Sequence, residues 1–238
     1  MKWFLATLVS LLPASGWCQQ TKVVDVSKEN RNITPAQFYT VGGEPVSTVK
    51  YAKLVSGTPY FSEVWMKGSL DLSNGRGYEN LWLKLNLMDN LLLYLDAEGK
   101  EMAATSVIRN VTLIDSVTGK KYNFIYSSFI SGTGKIELGW YQVLATGKAT
   151  VYKRFVKIIN ELKPYGSATY EQSIVTGERY YLFTGSDLTQ IKKFKSLPGM
   201  LNNKKQDLEK FINSKGLTGK TDSDYSGLIN YYNNLPVN

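Results

Sequence analysis

Leucine recurs at every second position in the middle of the chain. The four residues are Leu81, Leu83, Leu85 and Leu87. Trp82 and Lys84 lie between them, and this period of two is typical of a strand with one buried face. The polar residues in and after the run argue against a membrane helix. We therefore expect a core strand with Trp82 and Lys84 on the opposite face, each buried leucine contributing about 1.5–3 kcal/mol.

Strand-like segments and turn sequences then alternate about every ten residues. Asn74-Gly75 is a strong hairpin signal, because both residue types tolerate positive φ. Residues 150–159 and 178–183 have the composition of strands in two further hairpins. The pattern predicts a mainly β (α+β) fold, in which an antiparallel sheet over residues 45–192 rolls into a sandwich or partial barrel.

The periodicity becomes helical after residue 192. Apolar side chains fall on one face of each of two segments, Leu208, Phe211 and Ile212 in the first and Tyr225, Leu228, Ile229 and Tyr232 in the second. Thr221 with Asp224 three residues later forms a capping-box signature. Helices this short are marginal by themselves, so residues 193–238 are predicted to be a helical appendage docked on the sheet.

The first 18 residues have the features of a secretory signal peptide. Lys2 precedes an apolar run at residues 3–12, and small residues around Gly16 suit a signal peptidase. The run is too short to cross a hydrocarbon core, which needs about 20 helical residues. Cleavage is expected after Gly16 or after Cys18, and residues 19–44 then form a polar N-terminal arm with one strand near residues 23–26.

Cys18 is the only cysteine in the chain. A lipid-attachment sequence has a small residue before its cysteine, whereas here Trp17 precedes it. We interpret Cys18 as part of the cleavage region, with lipidation as the alternative. Disulfides are not expected in the mature chain, because it contains no pair of cysteines.

The residue types that are missing restrict the chemistry. The chain has no histidine, which excludes hydrolases with an imidazole base and most zinc, copper and non-haem iron sites. Neither a Walker loop nor a GxGxxG turn after a strand is present. We therefore expect no cofactor and no metal, and an enzyme would have to use carboxylate, lysine, tyrosine or serine–lysine chemistry.

Four carboxylates near predicted turns keep one class of enzyme open. They are Asp71, Glu79, Asp89 and Glu98. A glycosidase needs two carboxyl groups about 5–5.5 Å apart for retention or about 6.5–9.5 Å apart for inversion. Solvated side chains on hairpins are the simpler interpretation.

Basic residues are concentrated in two segments of a chain whose formal net charge is +8. The segments are 148–163 and 192–215, and a clustered surplus of this kind attracts polyanions when the charges lie on one face. The candidate polyanion-binding residues are Lys153, Arg154, Lys157, Lys204, Lys205 and Lys210. An ordinary solvated surface is the alternative. Nucleic acid is not an expected partner, because the chain carries an export signal and no nucleic-acid-binding motif.

Three sequence patterns carry a resemblance to a protein family. They are G-x-L-x-L-x-N-G at residues 68–75, GWYQVL-x-x-GK at residues 139–148, and the closing helices with DLEKFI and Y-x-x-L-I-x-Y-Y-N. With the signal peptide, they make the chain resemble an uncharacterised family of exported bacterial envelope proteins. The resemblance implies export and overall shape, and it implies no activity.

These observations favour an exported protein of the periplasm, the outer membrane surface or the medium, with no transmembrane span in its mature chain. The expected function is a non-enzymatic binding or scaffold module for an envelope protein, or for an anionic polysaccharide or lipid. The alternative is a carboxylate-dependent hydrolase that acts on glycans.

Overall fold

The structure, a computed structural model, describes residues 23–25, 43–45, 54–131, 136–166, 168–201 and 204–236. The predicted signal peptide lies outside these ranges, as does most of the predicted N-terminal arm. Within residues 19–44, the strand expected near residues 23–26 is present as Val23–Asp25.

The described residues are mainly β. The strands are β1 (Val23–Asp25), β2 (Gly43–Pro45), β3 (Leu54–Ser56), β4 (Met66–Leu72), β5 (Gly77–Asn86), β6 (Leu91–Leu95), β7 (Glu101–Ala104), β8 (Ile108–Ile114), β9 (Lys121–Tyr126), β10 (Trp140–Ala145), β11 (Thr150–Leu162), β12 (Glu171–Phe183) and β13 (Leu188–Ile191). The helices are α1 (Leu197–Met200), α2 (Lys205–Lys215) and α3 (Asp222–Asn234). Short 3₁₀ helices occupy Ser127–Phe129 and Phe194–Ser196.

All of the strands belong to one open sheet with the order β13-β12-β11-β10-β9-β8-β4-β5-β6-β7-β2. Neighbours along this path are antiparallel. Two short strands lie beside it, since β1 pairs in parallel with the start of β5 and β3 pairs in parallel with β12. The prediction of a mainly β fold built on an antiparallel sheet is confirmed.

The sheet curls strongly on itself. β10 is separated from β5 by three other strands, which would place them about 19 Å apart in a flat sheet. Nevertheless, the indole Nε1 of Trp140 at the start of β10 donates a hydrogen bond of 3.2 Å to the carbonyl of Asn90, in the turn after β5. Phe61 also bridges the curl, because its backbone N donates to the Leu85 carbonyl while its ring lies 5.5 Å from that of Phe155 on β11. The open sheet therefore has the form of a partial barrel.

The leucine strand occupies the inside of this curl. Leu81, Leu83, Leu85 and Leu87 are all buried in one apolar cluster. Trp82 is 42% exposed on the other face, where Lys84 stacks over the rings of Tyr60 and Trp65. The predicted orientation of this strand is confirmed.

The C-terminal helices pack on the sheet through a second apolar cluster. Val151, Leu182 and Ile191 of the strands share this cluster with Leu208 of α2 and Leu228 of α3. The predicted pair of helices is present as α2 and α3, and the additional short helix α1 precedes them. The predicted capping box at the start of α3 is also present, since the Thr221 hydroxyl accepts a hydrogen bond from the Asp224 backbone N.

Candidate binding surface

Strands β11 and β12 form the longest hairpin among the described residues. They pair without a break from Thr150 opposite Phe183 to Leu162 opposite Glu171. The face that bears Val151 packs against the helices and is called the inner face here, whereas the face that bears Tyr152 is called the outer face. Residues 156–162 with 171–177 form the distal half of this hairpin, which we call the arm.

The outer face of the arm carries exposed apolar side chains. Ile158 is 52% exposed, and its direct cross-strand partner Val175 is 49% exposed. Leu162, four residues further along the same face, is 68% exposed. Single exposed apolar residues are ordinary, but Ile158 and Val175 are direct neighbours across the strands. These three residues are called the apolar strip.

Two tyrosines lie at the end of the arm. Tyr165 is fully exposed and Tyr170 is 54% exposed, and both belong to the connection between β11 and β12. Tyrosine combines a large apolar ring with a polar hydroxyl, and it is enriched in protein interfaces for this reason.

An arginine pair lies on the outer face between the arm and the core. Arg154 and Arg179 are direct cross-strand partners. One oxygen of the Glu137 carboxylate accepts a hydrogen bond from Nη1 of Arg154, and the other accepts one of 2.8 Å from Nη1 of Arg179. Arg154 also donates to the Leu138 carbonyl at 3.1 Å. One carboxylate therefore bridges two guanidinium groups.

Tyr141 is buried and contacts two members of this cluster. Its hydroxyl donates a hydrogen bond of 3.1 Å to the backbone carbonyl of Glu137, and its ring lies 5.8 Å from the Arg154 guanidinium. Burial raises the pKa of Tyr141 to about 12, so its phenol remains a protonated donor even at alkaline pH, where an exposed tyrosine ionises.

A second ionic cluster joins the inner face of the hairpin to helix α3. The Lys153 ammonium lies 2.7 Å from Glu178 and 2.9 Å from Asp222, and its side chain is only 7% exposed. The Tyr180 hydroxyl donates to the Asp222 carboxylate at 2.8 Å. The Tyr180 ring stacks on Tyr225 of α3 at 3.8 Å. Burial, with the hydrogen bond to Asp222, raises the pKa of Tyr180 far above its usual value.

The structure divides the six predicted polyanion-binding residues among different environments. Lys153 is buried between two carboxylates on the inner face, whereas Arg154, the next residue, bonds Glu137 on the outer face. Lys157 donates to Thr176 at 3.0 Å, and partial burial lowers the pKa of its amine. On the helical side, Lys204 is half-buried, and Lys205 and Lys210 are exposed. The β11 residues therefore do not form one solvated patch, and polyanion binding stays a prediction.

The four carboxylates singled out in the sequence occupy separate surroundings. Asp71 and Glu79 lie at exposed positions of the paired strands β4 and β5. Asp89 accepts a hydrogen bond from Asn86 in the turn after β5, and Glu98 lies in the turn between β6 and β7.

A different carboxylate pair, Glu178 and Asp222, was not identified from the sequence. Both carboxylates bond the Lys153 ammonium, at 2.7 Å and 2.9 Å. Their bonded oxygens are therefore about as close together as, or closer than, the carboxyl groups of a retaining glycosidase, which lie about 5–5.5 Å apart. The Lys153 ammonium occupies the space between them, where a glycosidic bond would have to lie. The arrangement is that of an ion-pair cluster in which a buried charge has its partners.

Within the described ranges, no cluster of three or more aspartate, glutamate, histidine or cysteine residues is placed to hold a metal ion. In the same ranges, no helix has the length and apolar character needed to span a membrane. Comparison of the chain with models of known families, with curated proteins and with solved structures gives no match.

Proposed function

We propose that this chain is an exported, non-enzymatic binding module of the cell envelope, and that it holds a partner protein on the outer face of the arm. The observation that carries the proposal is the apolar strip, in which Ile158, Leu162 and Val175 share one face and are each about half or more exposed. Exposed apolar side chains that are direct neighbours, as Ile158 and Val175 are, mark candidate protein-binding surfaces.

The composition around the strip supports a protein as the ligand. Tyr165 and Tyr170 extend the surface at the end of the arm, and Arg179 borders it at the other end. Tyrosine and arginine are the residue types that most often contribute binding energy in protein interfaces. An anionic glycan would bind mainly through its charges and would leave the apolar strip exposed.

Export and envelope location are parts of this proposal. They rest on the signal-peptide pattern of residues 1–18 and on the resemblance to exported envelope proteins described above.

Glycan hydrolysis is the alternative function. Among the described residues, Glu178 and Asp222 are a carboxylate pair close enough to perform it, but Lys153 lies between them. Release of new reducing ends from envelope glycans by the wild type, and not by the Glu178→Gln variant, would favour the hydrolase instead.

The binding proposal is tested by capture from envelope extracts with immobilised protein. The test variant replaces Ile158, Leu162 and Val175 with serine, and the control is Val117→Ser, which changes an apolar side chain that is 91% exposed in a turn elsewhere. We expect the wild type and the control to retain the same protein, and the triple variant to bind it at least about tenfold more weakly.

The melting temperature of each variant is measured alongside the capture. We expect little change, because exposed substitutions usually alter stability by about 0.5 kcal/mol or less. Equal retention of the captured protein by a folded triple variant and by the wild type would overturn the proposal.

A further inference from the structure

The arginine pair is an unfavourable arrangement unless an anion lies beside it. Arg154 and Arg179 are directly opposite each other on neighbouring strands, and like charges at directly opposed positions destabilise a sheet. Glu137 supplies the compensating anion from a loop outside the hairpin. Because one carboxylate faces two guanidinium groups, the cluster keeps a net positive charge.

The bridging carboxylate is accessible to solvent. The Glu137 side chain is 51% exposed and that of Arg179 is 40% exposed, while that of Arg154 is only 16% exposed. Glu137 and Arg179 are solvated, and Arg154 keeps a carboxylate partner after the exchange, so another carboxylate of the same geometry can replace Glu137 at low cost. Arg154 stays in place during such an exchange, because it also bonds the Leu138 carbonyl and lies over the Tyr141 ring.

The arginine pair and the apolar strip lie on one face at a defined distance. From Arg154, the outer face continues through Val156 to Ile158, and from Arg179 through Gly177 to Val175. Four residues along a strand span about 13 Å. Between the two features, Gly177 adds no side chain to the surface, and its cross-strand partner Val156 is half-buried.

We propose that Arg154 and Arg179 form a carboxylate-binding site, which Glu137 occupies in the unbound protein and an acidic side chain of the partner protein occupies in the complex. An apolar side chain of the same partner, about 13 Å from its carboxylate, then packs on Ile158 and Val175. This inference rests on the proposed function and specifies the chemistry of the partner. Two guanidinium groups favour a carboxylate or another anion with two coplanar oxygens, because each guanidinium bonds one oxygen.

The exchange determines how strongly the site binds. The partner's carboxylate must displace Glu137, so the arginine pair contributes less to binding than an unoccupied pair would, and burial of the apolar strip supplies the rest. Removal of the Glu137 charge should therefore strengthen binding of acidic ligands, although it removes two native ion pairs. A general effect of net charge would appear equally when an acidic residue elsewhere on the surface is removed.

The test uses a displayed library of short random peptides, selected against the wild-type protein. We expect enrichment of peptides with an aspartate or glutamate four positions from a large apolar residue, because that spacing matches about 13 Å in an extended chain. An enriched peptide is then synthesised with its acid and with the corresponding amide. Both peptides are titrated by fluorescence anisotropy against three proteins: the wild type, Glu137→Gln, and Glu98→Gln as a control with the same charge change.

The expected result is that Glu137→Gln binds the acidic peptide about tenfold more tightly than the wild type does, which corresponds to about 1.4 kcal/mol. Glu98→Gln should match the wild type, and the amide peptide should not distinguish the three proteins. Arg179→Gln should lose the preference for the acid while still binding through the strip. Circular dichroism confirms the fold of each variant.

Three outcomes overturn the inference. If Glu137→Gln binds no more tightly than Glu98→Gln, the site does not hold a carboxylate ligand. If peptide binding depends on Ile158 and Val175 but not on the peptide's acid, the inference falls and the proposed function stands. If no peptide is enriched, and heparin oligosaccharides bind at low salt, both fall and the partner is a polyanion.

Discussion

Gly68 on β4 shows how a single residue sets the spacing of the sheet. A Cβ atom at this position would lie 2.1 Å from the carbonyl oxygen of Thr112 on β8, and 3.1 Å from Cδ1 of Leu83. Both distances are below ordinary van der Waals contact, and the first involves backbone that cannot rotate away. Residue 68 must therefore be glycine for β4 and β8 to approach as they do.

We expect Gly68→Ala to lower the free energy of unfolding by about 1–3 kcal/mol, the usual cost of overpacking a filled interior. Gly177→Ala is the control, because a Cβ there would meet nothing nearer than 3.9 Å and glycine is itself unfavourable within a strand. Urea unfolding followed by circular dichroism measures both variants. Equal stability of the two would show that the strands have room to move apart.

At the residue scale, the sequence predicts what depends on alternation and misses what depends on register. Leu83 and Trp82 point to opposite faces as their positions in the strand require. In contrast, the pairing of Arg154 with Arg179 follows from a connection of eight residues between two long strands, 163–170. The approach of Glu137 depends on a loop that has no local sequence signal. Lys153 and Arg154 are neighbours in sequence but lie on opposite faces of β11. The clustering of basic residues in the sequence therefore did not identify the site.

At the scale of elements, helix α3 is joined to the hairpin by more than apolar packing. Its first residue, Asp222, accepts hydrogen bonds from both Lys153 and Tyr180. Lys153 is nearly inaccessible to solvent and bonds Asp222 on one side and Glu178 on the other. A buried ammonium needs such partners, because the loss of one leaves part of its charge uncompensated.

We expect Asp222→Ala to lower the free energy of unfolding by about 1.5–3 kcal/mol, the range for a hydrogen bond to a charged group. Asp207→Ala is the matched control, because Asp207 is an exposed acid in the first turn of α2. It should cost no more than about 1 kcal/mol through the helix dipole. Urea unfolding gives both values, and amide hydrogen exchange should show faster opening of α3 only in Asp222→Ala. Similar losses in the two variants would mean that Lys153 does not need Asp222.

The arm is the element that the sequence predicts least well. The strand expected at residues 178–183 begins in the structure at Glu171, and the strand expected at 150–159 continues to Leu162. Residues 171–177 are polar or small apart from Ile174 and Val175, so they lack the alternation that marks a half-buried strand. Their strand conformation depends on pairing with β11 and, at Gln172 and Ser173, with β3.

At the scale of the whole molecule, the same curled sheet supports different environments on its two faces. The inside holds the leucine cluster and, beside it, the helix-covered cluster. On the outside, Tyr141, Tyr152 and Tyr181 form a third cluster, with the Tyr141 ring 5.4 Å from that of Tyr181. The overall class was predictable, because periods of two and of 3.6 residues report directly on buried faces. The curl was not, because it depends on contacts between distant segments such as Trp140 and Asn90.

The buried tyrosines give the molecule a defined sensitivity to alkaline pH. Burial raises the pKa of Tyr141 from 10.0 to about 12, and it also raises the pKa of Tyr152 and Tyr225. In the unfolded chain these phenols ionise near their ordinary pKa of about 10. Between pH 10 and pH 12 the unfolded state therefore binds fewer protons than the folded state, and the free energy of unfolding falls as the pH rises. Below pH 10 both states are protonated, so the contribution of these groups is complete there.

We expect Tyr141→Phe to flatten this decline, because the variant has one fewer phenol that must remain protonated in the fold. Between pH 9 and pH 12 its free energy of unfolding should fall by on the order of 2 kcal/mol less than that of the wild type. Tyr165→Phe removes a fully exposed phenol and is the control that should follow the wild type. Urea unfolding at intervals across this range measures the three slopes, and each protein serves as its own reference at pH 9.

The comparison of slopes is essential, because loss of the hydrogen bond from Tyr141 to the Glu137 carbonyl lowers stability at every pH. If the curves for Tyr141→Phe and the wild type are parallel up to pH 12, Tyr141 ionises without cost in the folded protein and the outer tyrosine cluster is open to water.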